Sequence, residues 1–190
     1  MKKGLEKFYD LVDAFESLPT IGKKSALRLA YHIVMNDSFT GIKIAHSIEN
    51  ALKNIKKCIK CGSMSEHEIC EVCLDDTREK TILCIVQSAK DIFIIEDSKQ
   101  FEGLYFVIEE LDSDSLDKLI SFVKENAIKE ILFALTPSLS NDAFILFIED
   151  RLKDFAINFS KIAQGVPTGV SLENVDILSL AKAIQSKVGI

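Results

Sequence analysis

Proline and glycine are scarce in this sequence, 3 and 8 of 190 residues. Collagen-like, low-complexity and disordered chains are excluded at that content. No internal repeat is found. No apolar run approaches the ~18 residues that a bilayer-spanning helix requires. The opening Met1-Lys2-Lys3-Gly4-Leu5-Glu6 is charged and then amphipathic, without the apolar stretch of a signal peptide. A cytoplasmic protein with no membrane partner is therefore expected. Enzymatic signatures are missing as well. There is no phosphate-binding glycine loop, and no Ser/His/acid or Cys/His pairing suggests itself.

What is present is an ordinary globular composition, 47% hydrophobic and 27% charged, enough to bury a sizeable core. The length allows one large domain or two or three small ones. The formal net charge of −6 would argue against a nucleic-acid partner, but the average hides an asymmetry. Residues 1–60 hold 11 Lys+Arg against 6 Asp+Glu, whereas residues 61–190 hold 12 against 23. A basic third on an acidic remainder suggests one surface for polyanions and another for something else; the simpler reading is a set of solvated helix faces of unequal charge.

Four of the five cysteines lie in one stretch, Cys58, Cys61, Cys70 and Cys73, as two C-x-x-C knuckles eight residues apart. Each knuckle can turn two thiolates toward one ion, and two complete a tetrahedron. A reducing compartment disfavours disulfides, and soft thiolates in a tetrahedral set suit one structural zinc per chain, with no open position for catalysis. His67, between the knuckles, reads as a surface loop residue rather than a ligand. Cys84, inside Thr81-Ile82-Leu83-Cys84-Ile85-Val86, reads as a small buried hydrophobe.

Apolar residues recur at helical spacing at Leu5, Phe8, Leu11, Val12 and Phe15, again at Ala26, Leu27, Ala30, Ile33 and Val34, and again at Ile44, Ala45, Ile48, Leu52 and Ile55. Between the first two patterns, Leu18-Pro19-Thr20-Ile21-Gly22-Lys23-Lys24-Ser25-Ala26 has the residues to stop one helix and start another. If this is a helix-hairpin-helix, Gly22 supplies a tight turn, the free N–H groups opening the second helix face a phosphate, and Lys23, Lys24 and Arg28 add charge without base readout. A plain helical hairpin with Leu18 and Ile21 in its core fits the residues equally. Beyond the cysteines, strand-length runs at Ile82–Val86, Leu104–Ile108 and Ile131–Leu135, and a fourth within Phe155–Ile162, alternate with helical patterns around Asp91–Glu96, Leu116–Val123 and Ala143–Leu152. The expected fold is α/β, a mostly parallel sheet covered on both faces. A turn-rich Gly165-Val166-Pro167-Thr168-Gly169 and an amphipathic Val175–Ile184 follow. Metal-dependent phosphodiester chemistry would need carboxylates at the strand ends, which instead read Gln87-Ser88 and Thr136-Pro137-Ser138. Asp91, Asp97 and Asp142 are expected at helix starts or on solvated faces.

In their order these pieces resemble the bacterial recombination mediator family RecR. The residues that carry the resemblance are Leu18 to Ala26, the four cysteines, Ile85-Val86-Gln87-Ser88-Ala89-Lys90-Asp91-Ile92 and Gly165-Val166-Pro167-Thr168-Gly169, nearly the whole chain in family order. The resemblance implies a helix-hairpin-helix unit over residues 1–57, a zinc finger over 58–76, a Toprim domain over 80–163 and a subunit-association segment over 164–190. It further implies a non-enzymatic DNA-binding scaffold that acts with RecO and RecF to help load RecA on single-stranded DNA. The assembly it implies is a homo-oligomer, a tetramer or dimer of dimers. The alternatives are a Toprim-type metal-dependent DNA-processing enzyme and a zinc-stabilised interaction module. The chain departs from the family pattern where Gln87 replaces a usual acidic residue, where Thr136-Pro137-Ser138 stands near the Asp-x-Asp of Toprim enzymes, where Thr20 replaces a common second glycine, and in a shorter segment after Glu109-Glu110.

Overall fold

A computed structural model describes residues 4–163 and 165–186. Residues 1–3 of the expected first unit, and 164 and 187–190 of the expected C-terminal segment, lie outside the described residues. The chain divides into two compact units, 1–55 and 56–190.

The first unit is helical. Helices α1 (Glu6–Glu16) and α2 (Lys23–Tyr31) pack through Val12, Ala26 and Ala30, with Phe8, Leu11, Phe15 and Ile21 around them. Two fully buried alanines on α2 let the helix axes approach closely. The periodic run expected to continue through Ile33 and Val34 changes its winding instead: His32–Asn36 is π-helical. Asp37 then caps α3 (Ser38–Asn54), accepting from the Thr40 amide at 2.9 Å and hydroxyl at 2.7 Å. Gly41 in α3 lies so close to the π turn that a Cβ there would come within 2.3 Å of Ile33 Cγ2. The apolar stripe that marks α3 as a helix is not buried. Ile44, Ile48 and Leu52 are 39%, 55% and 80% exposed, and no α3 residue is buried.

The second unit begins with a small hairpin, β1 (Lys56–Lys57) antiparallel to β2 (Met64–Ser65), and a single turn of helix, α4 (Glu71–Leu74). There follow β3 (Glu79–Val86), α5 (Ala89–Ser98), β4 (Gly103–Val107), α6 (Ser113–Glu125), β5 (Glu130–Phe133), α7 (Leu139–Arg151) and β6 (Asn158–Lys161). The four strands β3–β6 form one sheet in the order β4-β3-β5-β6, every neighbouring pair parallel. Side chains alternate along β3 as the pleat requires. Leu83 and Ile85 join Leu119, Phe122, Phe144 and Ile148 of α6 and α7, whereas Cys84 and Val86 join Ile92 and Ile95 of α5. The expected sheet with helices on both faces is thus the one observed. Ser88, Asp112 and Ser138 cap α5, α6 and α7 with their side chains. The fourth strand is shorter than its apolar run, because the Phe155 and Ile157 amides are used in turns, bonding to Leu152 and Phe155 carbonyls. The amphipathic tail forms a 3-10 turn, Leu172–Asn174, and α8 (Ile177–Gln185), opened by an Asp176 cap.

One polar cluster ties the start of the sheet together. Arg78 donates to the Gly103 carbonyl at 2.8 Å and pairs with Glu96, which also accepts from the Tyr105 hydroxyl at 2.6 Å. Burial pushes the Glu96 carboxyl up, but the Arg78 and Tyr105 hydrogen bonds outweigh it and hold the group below its ordinary value.

Candidate metal centre and nucleic-acid interface

The first knuckle is built from backbone bonds. The Cys58 amide donates to the Ser63 carbonyl at 2.7 Å, and the Gly62 amide to the Cys58 carbonyl at 2.9 Å. Closing this turn needs φ +76° at residue 62, a conformation glycine adopts without penalty. The second knuckle leads into α4, and the Cys70 amide donates to Cys58 Sγ at 3.3 Å, fastening one knuckle to the other. As a result the sulfurs of Cys58, Cys61, Cys70 and Cys73 all lie within 4.8 Å of one another, those of Cys61 and Cys70 3.5 Å apart. A metal–sulfur bond of about 2.3 Å puts tetrahedral sulfurs about 3.8 Å apart, so the four need little movement to share one ion. Contact with Cys61 holds the Cys70 thiol well below its ordinary value, and the same contact pushes Cys61 up.

Cys58, Cys61 and Cys70 are buried and belong to the core of the second unit. The Val107 amide of edge strand β4 donates to the Cys61 carbonyl at 2.8 Å, and a Cβ at Gly62 would sit 3.3 Å from Val107 Cβ. The finger thus covers one open edge of the sheet. His67 is exposed and outside the sulfur group, its amide bonded to Ser65 Oγ. Cys84 is fully buried between strands, and burial pushes its thiol up to about 12.

In the first unit, the Ile21 amide bonds to the Leu18 carbonyl at 3.3 Å, closing a turn with Pro19 and Thr20 at its centre. Thr20 takes φ +68°, which sequence reasoning passed over, although its place opposite a usual glycine was the signal. Leu18, expected in the core of a plain hairpin, is 49% exposed, whereas Ile21 packs against α1 and α2. Gly22 is the N-cap of α2 and no side chain caps the helix. Lys23, Lys24 and Arg28 are exposed, and among the described residues none of the three has an ion-pair partner. Lys24 and Arg28 stand one turn apart on the side of α2 opposite Ala26 and Ala30. Uncapped N–H groups and cations on one exposed helix start are the elements of phosphate contact.

Among the described residues, no comparable ion site is found at the C-terminal end of the sheet. Among the described residues, the four cysteines are the one group of three or more His, Cys, Asp or Glu side chains placed to share an ion. Asp142 lies 3.3 Å from Lys161, and Gln87 faces Asn141, a partner that nothing in the sequence had marked. No helix among the described residues is long and apolar enough to cross a membrane.

A hairpin of helices with a basic, uncapped second helix, followed by a four-cysteine cluster suited to a metal ion and a parallel α/β sheet, defines a helix-hairpin-helix protein of mixed α/β fold. Residues 8–52 match the family described as RecR, helix-hairpin-helix. Over 100% of both chains, the sequence is 54% identical to a recombination protein RecR from Campylobacter jejuni subsp. doylei and 53% identical to one from Nitratiruptor sp.. A Helicobacter pylori recombination protein RecR is 48% identical over 98% of this chain and 97% of its own. The chain belongs to the RecR family.

Proposed function

We propose that this chain is a non-enzymatic, DNA-binding mediator of recombinational repair that works in the cytoplasm. Its helix-hairpin-helix unit, residues 1–57, contacts DNA phosphates through the amides after Gly22 and the side chains of Lys23, Lys24 and Arg28. The observation that carries the reading is the absence, among the described residues, of ion-pair partners for these three cations beside an uncapped helix start, in a stretch that matches the RecR helix-hairpin-helix family. Contacts of this kind give affinity that falls with salt and depends little on base sequence.

The finger, 58–76, holds one structural zinc on Cys58, Cys61, Cys70 and Cys73. When bound, zinc supplies folding free energy on the order of 10 kcal/mol to so small a segment. The Toprim domain, 80–163, serves as a scaffold without catalysis, in keeping with the carboxylate-poor strand ends. Three basic residues on one hairpin make few phosphate contacts, so several copies along one DNA path bind more firmly than one. A homo-oligomer, a tetramer or dimer of dimers, meets that need. The uncovered stripe of Ile44, Ile48 and Leu52, and the exposed Ile177 and Leu178 in the 164–190 segment, offer apolar surface for it. RecO and RecF, and the loading of RecA on single-stranded DNA, enter through the family resemblance.

The test is single-stranded DNA binding by Lys23→Glu/Lys24→Glu, measured by fluorescence anisotropy across a salt series. Losing two phosphate contacts lowers the slope of log affinity against log salt by about 1.4 for single strands. Metal content stays unchanged. A variant that is folded, zinc-loaded and as tight as the parent overturns the assignment of the hairpin to DNA.

A further inference from the structure

The fold family implies a divalent cation at the C-terminal end of the sheet, and the residues there do not fit one. In a doubly wound sheet, ligands gather where chain connections leave in opposite directions. That point lies between β3 and β5, because the chain leaves β3 toward β4 on one side and leaves β5 toward β6 on the other. Gln87, directly after β3, and Asn141, in the first turn of α7, meet at this point across 54 residues of sequence. Gln87 Nε2 donates to Asn141 Oδ1 at 2.9 Å, and Asn141 Nδ2 donates to Gln87 Oε1 at 3.1 Å and to the Thr136 carbonyl at 2.7 Å. Both side chains are half-buried.

Magnesium binds oxygen at about 2.0–2.1 Å in octahedral geometry, which sets adjacent ligands about 2.9 Å apart. The two amides instead hold each other through paired N–H···O bonds, so each oxygen already has a proton donor opposite it. An inserted cation would have to displace both donors and would be repelled by the NH2 groups, which cannot ligate it. Carboxylates at the same two positions would repel each other and, at residue 141, the Thr136 carbonyl. Three oxygens would then face one gap with no proton between them, the arrangement that a hard divalent cation relieves.

We infer that the Gln87–Asn141 pair is a neutral crosslink standing where the fold family implies a cation. It clamps the end of β3 to the start of α7 without metal, and one amide-to-acid change at each residue converts the pair into a divalent-cation site. This goes beyond the absence of catalysis, since it assigns the two residues a role in the resting protein and a specific latent chemistry.

The test uses the full zinc-loaded chain. In the parent, thermal midpoints in EDTA-free buffer with and without millimolar Mn2+ coincide, and Mn2+ leaves the side-chain NH2 resonances of Gln87 and Asn141 unbroadened in NMR spectra. Gln87→Glu/Asn141→Asp melts roughly 3–6 °C lower than the parent without Mn2+, the range expected for losing such a pair in a chain of this size. It recovers with Mn2+, binding one ion per chain. Mn2+ broadening of the parent's Gln87 and Asn141 resonances overturns the inference, and this readout stands whether or not the double variant folds. A folded double variant as stable as the parent without Mn2+, or one that Mn2+ does not rescue, overturns it too. None of these readouts involves DNA, so they are separate from the hairpin test.

Discussion

Replacing Thr20 with glycine should stabilise the first unit, and the size of the gain follows from the turn it occupies. Leu18 to Ile21 form a hydrogen-bonded turn with proline at the second position and φ +68° at the third. That is the sequence order of a type II turn, whose third residue is ordinarily glycine. An L-residue in the left-handed region places its Cβ too near the following carbonyl oxygen, at a cost of roughly 1–2 kcal/mol, and β-branching makes a poor fit worse. Glycine removes that strain but loses more backbone entropy on folding, about 0.5–1 kcal/mol relative to a residue with a Cβ. Thr20 is exposed, so little packing is lost with its side chain. The balance is a gain of about 1 kcal/mol from these two ranges.

Equilibrium urea denaturation of the full chain, followed by far-ultraviolet circular dichroism, reads this as a higher midpoint at unchanged slope. Thr20→Ala is the control. It keeps a Cβ in the left-handed region, so it should recover only part of the gain. A Thr20→Gly midpoint equal to or below the parent's would refute the reasoning, because it would mean that the turn does not hold residue 20 at positive φ in solution.

Gly41→Ala should destabilise the first unit by about 1–3 kcal/mol, the cost of overpacking, since its Cβ would collide with the stiff Ile33 side chain 2.3 Å away; urea midpoints measure it. Cys61→Ser should lower bound metal and also speed amide exchange at Val107, whose partner is the Cys61 carbonyl; hydrogen-exchange NMR reads the amide and elemental analysis the metal. Acid should weaken the fold. Hydrogen bonds from Thr40, Ser115 and Ser179 hold the Asp37, Asp112 and Asp176 carboxyls below their ordinary 3.8. These groups bind protons less readily folded than unfolded, so their contribution is complete above the ordinary carboxylate range and is lost as pH falls below about 4. Thermal midpoints between neutral pH and pH 3 should fall on the acid side, and less steeply in Asp37→Asn, where a neutral cap replaces one of the three.

The features legible in the sequence are those whose partners are near in the chain. Two knuckles of three-residue spacing announce the sulfur cluster because each turn is made by its own backbone. The helices and strands announce themselves by period, and the alternation of Leu83, Cys84, Ile85 and Val86 between two faces is the physical content of a parallel strand buried on both sides. Period alone does not say what covers an apolar stripe, however. Ala26 and Ala30 are buried against α1, whereas Ile48 and Leu52 of α3 have the same spacing and remain exposed. The π turn at His32–Asn36 was equally invisible, because Ile33 and Val34 continue the helical pattern, and the close approach of Gly41 to Ile33 depends on the fold.

Long-range polar pairs were the least legible. Gln87 stood out as an amide where the family resemblance implied an acid, but its partner lies 54 residues away in a stretch that reads simply as a helix start. Arg78, Glu96 and Tyr105 each look like ordinary surface or strand residues until the sheet brings them together. The Cys61 carbonyl shows the same limit within the most legible motif of all. Its thiol is announced by spacing, yet the bond from Val107 that joins the metal centre to the sheet depends on β4 being an edge strand, and strand order is a property of the whole fold. Local spacing therefore identifies the groups that can hold an ion, while the global topology determines what those groups are joined to: the edge strand that the finger covers.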